Sequence, residues 1–250
     1  MASVTSRVRT VKQPRGGYIK PKEFAVTVFD DGVELNVSEN IHPNLIGLSV
    51  DYLTRYMMGT TVNKVFAISI WGAIIAEELP YAQKLLEEIK GLDDQSIFNT
   101  CKLVGYDVCF RHGMTGYRPV KDILPNKETI ENIRAMVNRS LTFWGKYGPT
   151  VLSGFTFEGA YTDIISSGDG DYLSNDTLWD FKVSKDSPKS RDTLQLLVYY
   201  IMGCHSKHES FKKITQIGIF NPRLNHVYQL SISKISEEII KEVSTEVIGY

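Results

Sequence analysis

Apolar and polar residues alternate along several short segments, and this period of two predicts β-strands. In TLWDFKVSK (177–185), apolar residues occupy every second position from Trp179 to Val183. The opposite face of this predicted strand carries Asp180 and Lys182, an unusual pair for a segment so apolar. The other predicted strands are at 24–29, 101–113, 151–167, 213–222 and 226–232.

Apolar residues spaced three and four apart predict helices in the remaining segments. The clearest is 125–148, in which Asn126 is a candidate N-cap and Ile130, Ile133 and Val137 lie on one apolar face. The other predicted helices are at 44–59, 61–79, 81–91, 192–203 and 234–248. We interpret 168–176 as a polar loop that joins two strands.

The order of predicted elements indicates the fold class. An early helical part is followed by a strand, a helix, two strands, a helix, two strands and a final helix. This order is typical of an α/β protein, here a mixed α+β arrangement with a central mixed sheet flanked by helices. No internal repeat or later linker is evident, so we expect one domain over residues 23–250.

The formal net charge of -1 conceals an asymmetry along the chain. Residues 1–22 contain six basic residues and no acid, and removing these six from the 28 leaves 22 against 29 acidic residues. We expect a solvated, flexible basic arm, with contact to nucleic-acid phosphates as the functional alternative.

Composition and missing motifs argue against several classes of function. No run of about 18 apolar residues is present, so we expect no membrane partner. The odd number of cysteines, three, favours a reducing, cytoplasmic location. The cysteines form no CxxC pair, which argues against a zinc or iron–sulfur site. The chain also lacks a P-loop and a dinucleotide-binding fingerprint.

The acidic residues of two predicted strands suggest a metal site. If 151–167 and 177–185 pair across the loop, Asp163 lies beside Asp180 and Lys182. Two neighbouring carboxylates repel each other, and a hard divalent cation relieves that repulsion. We expect the two carboxylates within about 5 Å of each other, as in oxygen-ligated cation sites.

This arrangement resembles the PD-(D/E)XK nuclease superfamily, within it the RecB-type and lambda-exonuclease-like branch. The matching residues are Asp163, then Asp180-Phe181-Lys182, then Gln195 and Tyr199 four residues apart. The resemblance extends over residues 154–203. It implies a restriction-endonuclease-like fold, with a motif core at 150–205, and an exonucleolytic, metal-dependent deoxyribonuclease. DNA is the implied partner, with RNA as an alternative.

The resemblance also implies a role for each matching residue. Mg²⁺, or Mn²⁺, would be held by Asp163, Asp180 and the backbone carbonyl of Phe181. Lys182 would orient or deprotonate the attacking water. Gln195 would position that lysine or a phosphate, and Tyr199 would support the helix or a phosphate.

One departure from the family pattern affects the expected activity. RecB-type domains carry Gly-x-x-x-His. In the matching segment of this chain the glycine is Gly59, and the histidine position four residues later is Asn63, a weaker neutral ligand. Glu158 is an alternative metal ligand. The rival hypothesis is a catalytically weak or inactive nuclease-fold protein that binds nucleic acid or a protein partner. In either case Lys185, Lys189 and Arg191 are candidate nucleic-acid contacts because they follow the motif strand.

Overall fold

The computed structural model describes residues 2–250, and the chain divides into two compact units. Unit 1 comprises residues 2–29 together with Trp144–Tyr250, and unit 2 comprises Asp30–Phe143. Residues 23–250, expected to form one domain, are thus divided between the two units. Residues 2–22, expected to form a separate arm, belong to unit 1.

The elements of unit 1 are mainly strands with a few helices. Its strands are β1 Ala2–Ser3, β2 Ala25–Val28, β3 Leu152–Thr156, β4 Ile165–Ser167, β5 Asp169–Leu173, β6 Thr177–Phe181, β7 Gln216–Asn221 and β8 His226–Ser231. Its helices are α1 Val4–Thr10, α9 Ser190–His205 and α10 Glu237–Glu242, which continues as a π-helix over Val243–Ile248.

Unit 2 is helical. Its helices are α2 Pro43–Met57, α3 Val62–Val65, α4 Ala67–Ile75, α5 Leu79–Glu87, α6 Asp94–Leu103 and α7 Asp107–His112, followed by α8 Lys127–Tyr147, whose last residues belong to unit 1. The Asn126 side chain accepts a hydrogen bond from the Thr129 N–H at 3.0 Å, as its predicted role as N-cap of α8 requires. Across residues 2–250, no helix has the length and apolar character needed to span a bilayer.

Six strands form one mixed sheet in the order β2-β8-β7-β6-β5-β3. Only β6 and β7 run parallel, with Thr177 opposite Gln216, and the other pairs are antiparallel. The mixed α/β fold class and the predicted hairpin of β7 and β8 are therefore confirmed.

Two predicted elements are wrong. Residues 101–113 form the end of α6, a 3₁₀ turn and α7 rather than a strand, and the Asp107 carboxylate accepts from the hydroxyls of Tyr52 on α2 and Ser69 on α4, both at 2.5 Å. The segment 168–176 is mostly strand β5 rather than loop, and it is this strand that pairs antiparallel with β6.

One face of the sheet packs against α9. The core between them contains Leu178 of β6, Ile217 of β7 and Leu197 of α9, all with no exposed surface. Burial of such side chains is the main favourable term in folding. Helix α1 joins this core through Val4 and Val8.

Aromatic side chains cover the other face of β6. The Phe181 ring stacks on Trp144 with centroids 5.8 Å apart, and it lies 4.8 Å from the ring of Tyr172. Trp179 lies over Gly218, where an added Cβ would come within 2.3 Å of the indole. Both faces of β6 are therefore covered, and its polar residues are enclosed by the fold.

The N-terminal segment is part of the folded unit, which differs from the expected flexible arm. Val4 is fully buried, and Ala2 pairs with Ile165 of β4. The Arg7 guanidinium donates to the carbonyl oxygens of Val247 and Glu246 at 3.0 and 2.6 Å. This segment therefore adds apolar contacts that a solvated tail would not make.

Truncating Val8 tests this placement. Val8→Ala removes two buried methyl groups, so we expect the free energy of unfolding to fall by about 1–3 kcal/mol in urea denaturation. Arg9→Ala, at an exposed position of the same helix, should change it by less than about 0.5 kcal/mol. Equal, negligible effects from both variants would restore the flexible-arm hypothesis.

Candidate functional site

The end of β6 positions the motif residues. Because side chains alternate along a strand, Leu178, Asp180 and Lys182 point to the same face as one another, towards α9. The N–H of Lys182 donates to the carbonyl of Phe220 at 3.0 Å, which continues the pairing with β7 by one residue. Lys182 is thereby held in register although β6 ends at Phe181.

Asp180 is a buried carboxylate with an incompletely satisfied oxygen. Its side chain is 2% exposed, and Oδ2 lies 3.1 Å from Nζ of Lys182. This ion pair lacks hydrogen-bond geometry, so Oδ2 is buried without a hydrogen-bond partner within residues 2–250. Buried polar oxygens are almost always hydrogen-bonded, and an exception indicates strain or a site for an ion or ligand.

Helix α9 brings an amide to this ion pair. Nε2 of Gln195 donates to the Tyr199 hydroxyl at 3.0 Å and makes a long contact of 3.5 Å with Oδ1 of Asp180. Oε1 of Gln195 accepts from Nζ of Lys182 at 3.4 Å. The amide therefore presents its donor end to the acid and its acceptor end to the lysine, which fixes its orientation.

Asp171 on β5 is the second acid of the site, and the sequence-based interpretation missed it. Antiparallel pairing places Leu173 opposite Leu178 and Tyr172 opposite Trp179, and the next pair in this register is Asp171 and Asp180. Oδ2 of Asp171 accepts from the Phe181 N–H at 2.8 Å. A signal was present: Gly170 and Tyr172 alternate with acids just before the turn.

The electrostatics of the site are dominated by burial and by excess acid. Burial raises the pKa of Asp180, although the positive charge of Lys182 opposes that shift. Burial alone would lower the pKa of Lys182, but the carboxylates of Asp180, Asp171 and Asp192 outweigh it and raise that pKa. Burial raises the pKa of Tyr199 as well, so its hydroxyl remains protonated.

Asp163 occupies a different position from the one expected. It is exposed in a bend before β4, and β4 pairs with β1 rather than with β6. The predicted strand pairing of Asp163 with Asp180 is therefore wrong, because β5 occupies that position in the sheet. The acid across from Asp180 in register is Asp171.

The alternative metal ligands have other surroundings. Glu158 is exposed and forms an ion pair with Lys207 at 3.0 Å. Asn63 is exposed on α3 and belongs to unit 2, whereas Asp180 belongs to unit 1. The Phe181 carbonyl follows Asp180 directly in β6, as the motif requires.

The candidate nucleic-acid contacts flank the start of α9. Lys185, Lys189 and Arg191 are all exposed. Nζ of Lys189 pairs with Asp186 at 2.7 Å, an exposed ion pair of small energetic value. These cations follow the Asp180–Lys182 strand directly, as the sequence indicated.

The residues present suit one hard cation. Oδ2 of Asp180, the carboxylate of Asp171 and the Phe181 carbonyl are oxygen donors of the kind that Mg²⁺ takes, with water completing its shell. A cation there would also offset the excess negative charge around Lys182. Within residues 2–250, however, no group of three or more His, Cys, Asp or Glu side chains forms a dedicated metal cage.

Comparison with known protein families, with curated proteins and with solved structures finds no match to this chain.

Lowering the pH should weaken the binding of a divalent cation at Asp180. Burial raises the pKa of this carboxyl, and a cation binds only the carboxylate, so affinity for Mg²⁺ or Mn²⁺ should fall as the pH is lowered through that pKa. Calorimetric titration at several pH values measures this dependence. Asp180→Asn should remove most of the binding at every pH. A wild-type affinity that does not change as the pH is lowered would contradict this prediction.

Proposed function

We propose that unit 1 is a metal-dependent nuclease that hydrolyses phosphodiester bonds of DNA. One observation carries the proposal: a buried carboxylate, Asp180, has an oxygen without a hydrogen bond within residues 2–250, and this oxygen lies 3.1 Å from Nζ of Lys182 with a second acid across the hairpin. This set matches the chemistry of the PD-(D/E)XK motif, with Asp171 in the place first expected for Asp163. Asp180, Asp171 and the Phe181 carbonyl would hold the cation.

A bound Mg²⁺ or Mn²⁺ supplies a more acidic water and offsets negative charge on the phosphate. The chain's own residues perform the positioning. Nζ of Lys182 lies 3.1 Å from Oδ2 of Asp180, and the lysine side chain is 27% exposed. It can therefore orient a water molecule and stabilise charge that develops on a phosphate oxygen.

Gln195 and Tyr199 act as positioning residues. The Gln195 amide limits the movement of Lys182 by accepting its hydrogen bond, and it holds the Tyr199 hydroxyl in turn. Tyr199 stacks on Phe157 with ring centroids 5.1 Å apart, so the chain of contacts ends in the core. Side chains locked in this way hold a reactive group in one geometry.

The remaining details of the function follow from the sequence resemblance. DNA as the partner, attack from an end and a cytoplasmic location belong to this proposal. RNA is the alternative substrate. Exposed cations next to the site support a phosphate-containing substrate, since phosphate contacts position a nucleic acid without reading its sequence.

A second function is favoured by a specific observation. The site offers two carboxylates rather than three or more acidic or imidazole ligands within residues 2–250, and Asn63 replaces the histidine of the family pattern. A protein that binds nucleic acid, or a protein partner, without cleaving is the alternative. Incubation with end-labelled linear and closed circular DNA, with Mg²⁺ or Mn²⁺ and an EDTA control, distinguishes the two functions.

Asp171 and Asp163 provide a matched pair of acids for locating the metal ligand. Asp171→Asn keeps the shape of the side chain but removes its charge, so we expect cleavage to fall by about 10²-fold or more and cation affinity to fall with it. Asp163→Asn, at an exposed position before β4, should have a much smaller effect on both. The reverse ranking would reinstate the sequence-based assignment of Asp163.

Lys182→Ala and Asp180→Asn should separate positioning from metal binding. Both variants should slow cleavage by about 10²-fold or more, because each loses a charged group at the reacting centre. Only Asp180→Asn should weaken Mg²⁺ binding, measured by calorimetry, since Lys182 supplies no oxygen ligand. Weakened metal binding in Lys182→Ala would show that the lysine maintains the site's structure instead.

A further inference from the structure

The segment 11–22, rich in basic residues, is anchored against the first turn of α9. The hydroxyl of Thr193 donates to the carbonyl of Ile19 at 2.7 Å, and both residues are buried. Gly17 approaches Ser190 so closely that an added Cβ would lie 2.6 Å from the serine Cβ. The backbone of this segment is therefore held beside the residues that follow the Asp180–Lys182 strand.

This anchoring joins two basic stretches that are far apart in sequence. We use the name "basic surface" for seven exposed cations: Lys12, Arg15, Lys20, Lys22, Lys185, Lys189 and Arg191. The acids in the same stretches are Glu23, Asp186 and Asp192, so the cations are in excess by seven to three. Arg7 is excluded from the surface because its guanidinium is committed to the carbonyls of Val247 and Glu246.

The basic surface adjoins the candidate metal site. Asp192, in the first turn of α9, accepts from the Lys189 N–H at 2.7 Å. Gln195, three residues further along the same helix, accepts from Nζ of Lys182 at 3.4 Å. An anionic chain lying on the basic surface would therefore pass next to the ion pair.

The residue types on the basic surface indicate which form of nucleic acid it fits. Proteins that bind single strands combine cations with aromatic side chains on which bases stack. The only aromatic residue of 11–22 is Tyr18, which is buried, and 184–191 contains none. Such a surface can bind phosphates but offers no stacking platform, and a duplex carries the higher density of phosphate charge.

We propose that the basic surface binds the sugar–phosphate backbone of duplex nucleic acid without regard to sequence, next to the metal site. Its use in delivering substrate rests on the proposed nuclease function, whereas the binding itself does not. The N-terminal segment contributes its cations to this binding as a folded part of unit 1. Deleting it is therefore not a clean test, because the buried side chains of Val4 and Val8 would be lost as well.

Charge removal at exposed positions gives the cleaner experiment. In the background of Asp180→Asn and in EDTA, the affinity for a 20-base-pair DNA duplex is measured by fluorescence anisotropy between about 50 and 200 mM salt. Lys20→Gln with Lys22→Gln should weaken binding and reduce the slope of log K against log salt by about 2. Lys212→Gln with Lys213→Gln is the matched control, with the same charge change at two exposed lysines beyond the other end of α9, a helix of 16 residues and about 24 Å.

Each outcome decides a separate point. A reduced slope for the Lys20/Lys22 variant alone supports the proposal, and equal slopes in the two double variants overturn it. Tighter binding of a single strand of the same sequence than of the duplex would also overturn it. Cleavage plays no part in this binding assay. If the wild-type protein shows no nuclease activity in the cleavage assay, the proposed function is refuted while this inference stands.

Discussion

The burial of Asp180 beneath α9 is the constraint on which the site depends. A carboxylate in an apolar environment is costly unless it is paired, and here the pairing comes from Lys182 on the same strand face. The Gln195 side-chain amide contacts both groups: its Oε1 accepts from Nζ of Lys182, and its Nε2 contacts Oδ1 of Asp180. Oδ2, the oxygen that faces Lys182, has no hydrogen bond within residues 2–250, and one cation there would supply a further partner.

The mixed sheet explains why these groups can be buried at all. The aromatic side chains of Trp179 and Phe181 cover one face of β6, so its other face can carry polar residues without losing its core contacts. Parallel pairing with β7 continues through Lys182, which keeps the lysine in register at the strand end. Helix α9 closes the site with apolar residues and contributes its few polar ones where the acid lies.

The N-terminal segment links this site to its surroundings in unit 1. Its apolar residues pack into the core around α9, whereas its cations stay exposed beside the first turn of that helix. A segment whose composition suggests a solvated tail can thus be folded, because Val4 and Val8, one turn apart on α1, bury apolar side chains in the core. The same segment then has a fixed distribution of charge.

The sequence by itself determined the features that depend on local periodicity: the strand with Asp180 and Lys182 on one face, the helix that carries Gln195 and Tyr199, the hairpin of β7 and β8, and the mixed fold class. Only the tertiary structure decided which acid lies opposite Asp180. Strand pairing is a long-range property, and a glycine-rich acidic stretch such as 168–176 has too few apolar residues to distinguish a short strand from a loop. Tertiary packing likewise turned 101–113 into helix and anchored the N-terminal segment, since the partners that stabilise both lie elsewhere in the chain.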